Sequence, residues 1–179
     1  IKDKEMILDP FCGSGTILTE SALLGYDNFI GTDLTKKSIE DSQENLEWIA
    51  KKYELKNLNY QLHQQSVETI TKKIKLNTID TIVTEPFLGK PLKGKESREE
   101  LTKQITGLKK TYLRAFEQFK LVLKKDGVVI FIIPRFKYEQ DWITIDCLEE
   151  IKKLGFTPKP LLPDHNFLLY HRPHQHIGR

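Results

Sequence analysis

The stretch that constrains this chain most lies near its start. Met6-Ile7-Leu8-Asp9 is an apolar run that ends in an acid. Pro10-Phe11-Cys12-Gly13-Ser14-Gly15 is a tight, glycine-bearing turn, and Thr16-Ile17-Leu18-Thr19-Glu20 opens a helical pattern. That order predicts a strand, a loop and a helix N-terminus. Gly13 and Gly15 allow a positive φ and carry no Cβ, so a ligand can lie against the loop backbone. The amides at the helix start face such a ligand. A dinucleotide-binding loop would want a third glycine at the position of Leu18, for close helix packing and a bound pyrophosphate. Asp9 would also repel a pyrophosphate, and it suits a cationic amino-acid group instead. A strand–turn–helix with no ligand is the alternative, since glycine loops alone are weak signals.

The chain has 179 residues, 39% of them apolar, enough for one globular domain with a core. No apolar run reaches membrane-spanning length and no signal peptide is present. The two cysteines, Cys12 and Cys147, make no disulfide framework, which points to a reducing, cytoplasmic setting. A net charge of +3 fits a nucleic-acid partner without demanding one.

Further along, the pattern alternates. A helix is expected over 16–24 with Gly25 after it, then a strand over 29–33 ending in Asp33. A helix follows to about residue 53, with Thr35 as N-cap and Ile39, Leu46 and Ile49 on one face. A weak strand at 59–63, a short helix at 66–74 and a strand at 78–84 come next. Gly89, Pro91 and Gly94 break the pattern among Lys90, Lys93, Lys95 and Arg98. Leu101, Ile105, Leu108, Tyr112, Phe119 and Leu123 then mark a helix over 99–124. After an Asp126-Gly127 turn, the apolar run 128–134 reads as a strand buried on both faces. A helix over 141–154 and two closing strands at 156–162 and 166–171 complete the order. Alternating strands and helices predict a doubly wound, mostly parallel sheet. The short link at 163–165 permits only an antiparallel last pair. In such a sheet ligands bind outside the carboxyl ends of the strands. Asp33 lies about twenty residues past the loop, the spacing at which a carboxylate takes ribose hydroxyls.

Asp9-Pro10-Phe11-Cys12-Gly13-Ser14-Gly15-Thr16 resembles the first motif of class I S-adenosylmethionine (SAM) methyltransferases. Its wording is close to that of the THUMP-associated tRNA guanosine N2-methyltransferases. Several DNA amino-methyltransferases use a similar run. The fourth strand's end, Val83-Thr84-Glu85-Pro86-Phe87-Leu88-Gly89, resembles the V-T-D-P-P-Y-G of the tRNA enzymes. It departs where Glu85 stands for Asp, Phe87 for Pro and Leu88 for Tyr. The tail, Tyr170-His171-Arg172-Pro173-His174-Gln175-His176-Ile177-Gly178-Arg179, holds three of the five histidines. Its arrangement resembles the closing segment of the same group more than a metal site, which would want convergent ligands.

The resemblance implies an α/β, seven-stranded Rossmann-like methyltransferase sheet with one antiparallel strand. It implies that 1–179 is a catalytic domain, the C-terminal part of a longer protein with an RNA-binding domain upstream. It further implies SAM as cofactor, held by Asp9, Pro10, Cys12, Gly13, Ser14, Gly15, Thr16, Asp33 and Leu34. At the third strand end the family often has an acid against the adenine; Gln65 and Ser66 stand there. Glu85, Pro86 and Phe87 become the acceptor motif. An exocyclic amine is planar; a carboxylate and a backbone carbonyl can take its two N–H groups, and a ring stacked on the base fixes the approach. The expected partner is nucleic acid, tRNA first, gripped through the upstream domain and the basic loop 90–98, with Arg172 and Arg179 meeting either RNA phosphates or an acidic surface of the fold. That loop has a plainer reading as a solvated charge run. The competing functions are DNA N6-adenine or N4-cytosine methylation on a flipped base, and a degenerate module that binds SAM without transfer.

Overall fold

The computed structural model describes residues 5–159. Five parallel strands form one sheet in the order β3-β2-β1-β4-β5: β1 Met6–Asp9, β2 Asn28–Asp33, β3 Asn59–Gln64, β4 Ile79–Thr84 and β5 Leu123–Phe131. Between them run α1 Thr16–Leu23, α2 Lys36–Lys52, a short 3-10 helix Val67–Lys72 and α3 Arg98–Val122. β6 Arg135–Tyr138 and β7 Asp141–Thr144 pair antiparallel in a separate hairpin, and α4 Leu148–Lys153 follows. There are thus seven described strands, mostly parallel with one antiparallel pair, a Rossmann-like arrangement as expected. The expected closing strands fall largely outside the described residues; of their span, 156–159 are described and lie in no strand. The tail 170–179 also lies outside them. Contacts divide the chain into two compact units. One holds the residues up to Phe87 with Arg114–Ile132; the other holds Leu88–Leu113 and the residues from Ile133 onward.

In the first unit, β1 sits centrally and is buried on both faces. Ile7 and Leu8 alternate to opposite sides of the sheet, and both are buried. Ile7 joins a core cluster with Cys12, Leu18, Ala22, Phe29 and Leu46, which packs α1 and α2 against β1 and β2. α2 begins as its sequence predicts: the Thr35 side chain accepts from the Ser38 amide at 3.1 Å. Leu18, the residue that stands where a dinucleotide loop would have its third glycine, is fully buried in this cluster. The room comes from the facing strand. A Cβ on Gly31 of β2 would come within 2.8 Å of Leu18 Cδ1 and 2.7 Å of Leu62 Cδ2. The large side chain is on the helix and the missing one on the sheet, an exchange that preserves close packing.

Two sequence expectations fail, each for a local reason. β5 is not buried on both faces. Phe131 packs against Phe116 of α3, with ring centroids 5.1 Å apart, but Val128, Ile130 and Ile132 point to the other side and are exposed. Among the described residues β5 is the last strand of the five and pairs with β4. The Asp126-Gly127 turn is a bulge inside this strand: Ile79 pairs with Leu123, yet Thr81 pairs with Val128. In the second unit, 141–154 is not one helix. Trp142-Ile143-Thr144 is an aromatic and β-branched run that favours a strand, and Glu139 takes a positive φ of 52° in the link that turns β6 into β7. Arg135 lies over the Trp142 ring at 4.7 Å, across the hairpin.

Gly31→Ala should cost about 1–3 kcal/mol of stability, because the new methyl meets a packed leucine on either side. Urea denaturation measures it, and an unchanged midpoint would show that the interlayer packing is looser than these distances.

Candidate active site

The strand order reverses direction between β1 and β4, so a crevice opens outside the carboxyl ends of those strands. The chain places acids there. β1 ends in Asp9, β2 ends in Asp33, and Glu85 follows directly on β4.

Between β1 and α1 the loop is held from both sides. The Cys12 amide donates to the Thr32 carbonyl at 3.0 Å, and the Gly15 amide to the Cys12 carbonyl at 2.7 Å. Asn45 of α2 donates to the Ser14 carbonyl at 2.9 Å. Asp33 ties the loop to the next helix: Oδ2 accepts from the Gly13 amide at 3.1 Å and Oδ1 from the Thr35 amide at 2.9 Å. Two lone-pair positions remain on that carboxylate for a ligand. The two loop glycines have different tasks. Gly13, at φ 52°, has nothing within 4 Å of where a Cβ would stand, so its surface is open. Gly15, at φ 84°, would bring a Cβ to 2.5 Å from Ser42 Oγ and 3.2 Å from Ser42 Cα. Gly15 therefore lets the start of α1 rest on α2, and Gly13 gives a ligand access to the backbone.

Around the loop, Pro10 is buried, while Ser14 and Thr16 are exposed at the helix entry. α1 has no side-chain cap and no acid in its first turn, so its amide end is uncompensated. The Cys12 thiol is buried in the core cluster, and burial pushes its pKa up to about 12, with Asp9 and Asp33 adding to the effect. It is a neutral packing group, and its backbone amide and carbonyl are engaged with Thr32 and Gly15. Leu34 is 70% exposed beside Asp33. Ser66 caps the 3-10 helix, accepting from the Glu68 amide at 3.3 Å. Gln65 donates through its amide nitrogen to Thr69 Oγ1 and to the Thr69 carbonyl.

Past β4, Glu85 and Phe87 are exposed on either side of a buried Pro86. The basic stretch that follows belongs to the second unit. There the Glu96 carboxylate accepts from the Lys93, Gly94 and Lys95 amides, so this loop is folded onto its own acid. Ser97 and Glu100 then cap α3 reciprocally. Among the described residues no cluster of three or more His, Cys, Asp or Glu could hold a metal, and no helix is long and apolar enough to cross a membrane.

The residue that sequence reasoning passed over is Thr84. Its hydroxyl donates to Asp9 Oδ1 at 2.6 Å, and the Phe11 amide donates to the same oxygen at 3.1 Å. The signal was a hydroxyl one residue before the acceptor motif, on the strand beside β1. Asp9 is 1% exposed, and burial pushes its pKa from the ordinary 3.8 up to about 7. The two hydrogen bonds oppose that rise; Asp33 and Glu85 reinforce it. A folded-state pKa above the unfolded value means that the native protein binds this proton more tightly. The associated stability is present below about pH 4 and is lost as pH climbs to about 7. Asp9→Asn should therefore stabilise the ligand-free protein at pH 8, by on the order of 2–4 kcal/mol, and by much less at pH 5. Denaturant midpoints at the two pH values test this, and a variant that is less stable at pH 8 would contradict it.

The donors and acceptors fit an amino acid joined to a nucleoside. Asp9 suits an ammonium, Asp33 suits vicinal hydroxyls, and the amide end of α1 suits a carboxylate, with the open Gly13 surface between. Comparison with known proteins identifies the family. The profile of a family described as a methyltransferase domain matches residues 1–159. The chain is 28% identical over 138 residues to a protein of Methanothermococcus thermolithotrophicus named probable tRNA (guanine(10)-N2)-dimethyltransferase, covering 75% of this chain and 74% of that one. It is 27% identical over 169 residues to the tRNA (guanine-N(7)-)-methyltransferase of Clostridium beijerinckii, covering 92% and 69%. Among solved structures, the cyclase SpnF shares the fold at a TM-score of 0.54, with 16% identity over 84% of this chain and 51% of that one. The chain belongs to the methyltransferase-domain family, a distant relative of the tRNA guanine-N2-methyltransferases, with S-adenosylmethionine as its cofactor.

Proposed function

We propose that this protein transfers a methyl group from SAM to an exocyclic amine of a nucleic-acid base, the N2 of a tRNA guanosine first, in the manner of the THUMP-associated enzymes. The observation that carries the reading is the end of β4. There an exposed carboxylate, Glu85, and an exposed ring, Phe87, flank a buried proline beside the strand that bears the glycine loop.

SAM, when bound, supplies a methyl group made electrophilic by its sulfonium. Asp9 would hold the ammonium and Asp33 the ribose hydroxyls. The start of α1, with no side-chain cap and no acid in its first turn, would receive the methionine carboxylate, and the open Gly13 surface would let the ligand lie along the loop. Leu34, exposed beside Asp33, would offer an apolar side chain to the adenine. Gln65 keeps a carbonyl oxygen able to accept from the adenine amine where the family has an acid. On the acceptor side, Glu85 takes one N–H of the base amine and a carbonyl of the Pro86 turn takes the other. That orients the nitrogen, and Glu85 stabilises the positive charge that develops there as the N–C bond forms, then accepts the amine's proton and, being exposed, passes it to water. Phe87 stacks on the base in place of the family's aromatic one position later.

Phosphate contacts come from the basic loop 90–98, and a larger share from an RNA-binding domain upstream. A net charge of +3 neutralises few phosphates, and the loop already spends three amides on Glu96. The setting is the cytoplasm, with both cysteines free and buried. A second reading has one observation behind it, the relative named for guanine N7. Position N7 is a ring nitrogen with an in-plane lone pair and no N–H, so Glu85 would have nothing to accept.

Single-turnover transfer from labelled SAM to tRNA, rRNA and DNA tests both readings, with the modified nucleoside identified by mass spectrometry. Glu85→Ala and Glu85→Gln should lower the transfer rate by about 100-fold or more while leaving SAM affinity nearly unchanged. Phe87→Ala should weaken nucleic-acid binding by about 1–3 kcal/mol. Methylated N7 with an unaffected Glu85→Ala would select the second reading. SAM binding without transfer to any nucleic acid would mark a degenerate module. Asp33→Ala should weaken SAM binding by about 1.5–3 kcal/mol, measured by calorimetry, since it removes ribose contacts and frees the Gly13 amide.

A further inference from the structure

Thr84 is the last residue of β4 and is 2% exposed. β1 and β4 pair only at Ile7–Thr81 and Leu8–Ile82. Beyond those pairs, toward the crevice, the bond from Thr84 Oγ1 to Asp9 Oδ1 at 2.6 Å joins the two strand ends. The same oxygen accepts from the Phe11 amide, inside the glycine loop. One buried atom thus fixes three things: the end of β1, the first turn of the loop, and the strand that presents Glu85.

We infer that Thr84 is a positioning residue for the transfer, whose hydrogen bond to Asp9 locks the cofactor loop and the Glu85 turn into one arrangement. The inference rests on the reading of this loop as the SAM site. Distance supports it: at 2.6 Å, between groups 1% and 2% exposed, water does not compete for the bond. Charge supports it as well. Asp9 faces Asp33 from β2 and Glu85 from the end of β4, both of which oppose a negative charge. Cys12, in the loop, is itself neutral. The Thr84 hydroxyl and the Phe11 amide are the groups that favour the ionised form, the form a cationic ligand needs.

The test uses Thr84→Val, which keeps the shape without the donor, and Thr84→Ser, which keeps the donor on a smaller side chain. Binding of S-adenosylhomocysteine is followed by calorimetry from pH 5.5 to 8.5, and single-turnover transfer is measured at pH 8.5 with saturating SAM. Losing a bond that favours the carboxylate raises the pKa of Asp9, so affinity fades at a higher pH. Thr84→Val should move the midpoint of the binding profile up by about one pH unit and slow transfer about tenfold. Thr84→Ser should keep the wild-type midpoint. In an Asp9→Asn background the two variants should bind alike at every pH. A packing role alone would lower the thermal stability of both variants and leave the midpoint in place, and that result overturns the inference. A Thr84→Val profile that superimposes on the wild type overturns it, as does a Thr84→Ser profile shifted like Thr84→Val. If Thr84→Val does not fold, Thr84→Ala takes its place with the same expected shift. Wild-type protein that binds no S-adenosylhomocysteine at any pH overturns the SAM reading and this inference together, an outcome distinct from a superimposed pair of binding curves.

Discussion

The parallel pairing of β1 with β2 on one side and β4 on the other is the constraint on which the rest depends. Parallel neighbours must all end at the same edge of the sheet, so whatever each strand carries at its last residue is delivered to one crevice. The chain needs no long-range recognition to gather Asp9, Asp33 and Glu85; strand lengths and the order of crossovers do it. That geometry also explains the conflict in the site. Burial disfavours the charge on Asp9, the neighbouring carboxylates of Asp33 and Glu85 add to that, and Asp9 keeps its proton to near neutral pH. A fold optimised for stability alone would not place an acid there. Ionising Asp9 there is costly, and a cationic ligand offsets that cost.

Side-chain hydrogen bonds then turn proximity into a fixed shape. Asp33 spends both oxygens on backbone amides of different elements, Gly13 in the loop and Thr35 at the cap of α2. Asp9 spends one oxygen on two donors from different segments. Each acid is therefore both a ligand candidate and a brace, and a change at either one alters the loop as well as the charge.

Much of this was legible in the sequence because the signals were local. The acid at the end of an apolar run, the glycine turn, Thr35 as a cap and Gly25 after α1 each depend on residues within a turn of one another. What stayed hidden depends on partners far along the chain. Gly15 looked like a ligand surface until Ser42 was seen to rest against it. Leu18 argued against a dinucleotide, yet the reason it fits is Gly31, thirteen residues away on another element. The run 128–134 read as doubly buried because apolar content alone does not show which faces of a strand are covered; Val128, Ile130 and Ile132 are exposed. The segment 141–154 carries enough helix formers to mask a short strand at its start, and a turn with positive φ at Glu139 left no glycine to announce it. Thr84 was part of a quoted motif, but a threonine in a strand is ordinary until an acid is found opposite it.

The irregular start of β5 has a consequence at the end of the sheet away from the acids. The bulge there breaks the regular spacing of backbone groups between Ile79 and Thr81. Lys124 is pinned to Asp80 of β4 at 2.7 Å, and the same carboxylate accepts from the Met6 amide at the start of β1 at 2.9 Å. One side chain thus clasps the beginnings of three neighbouring strands. The register that brings their far ends level is held from behind as well as at the crevice.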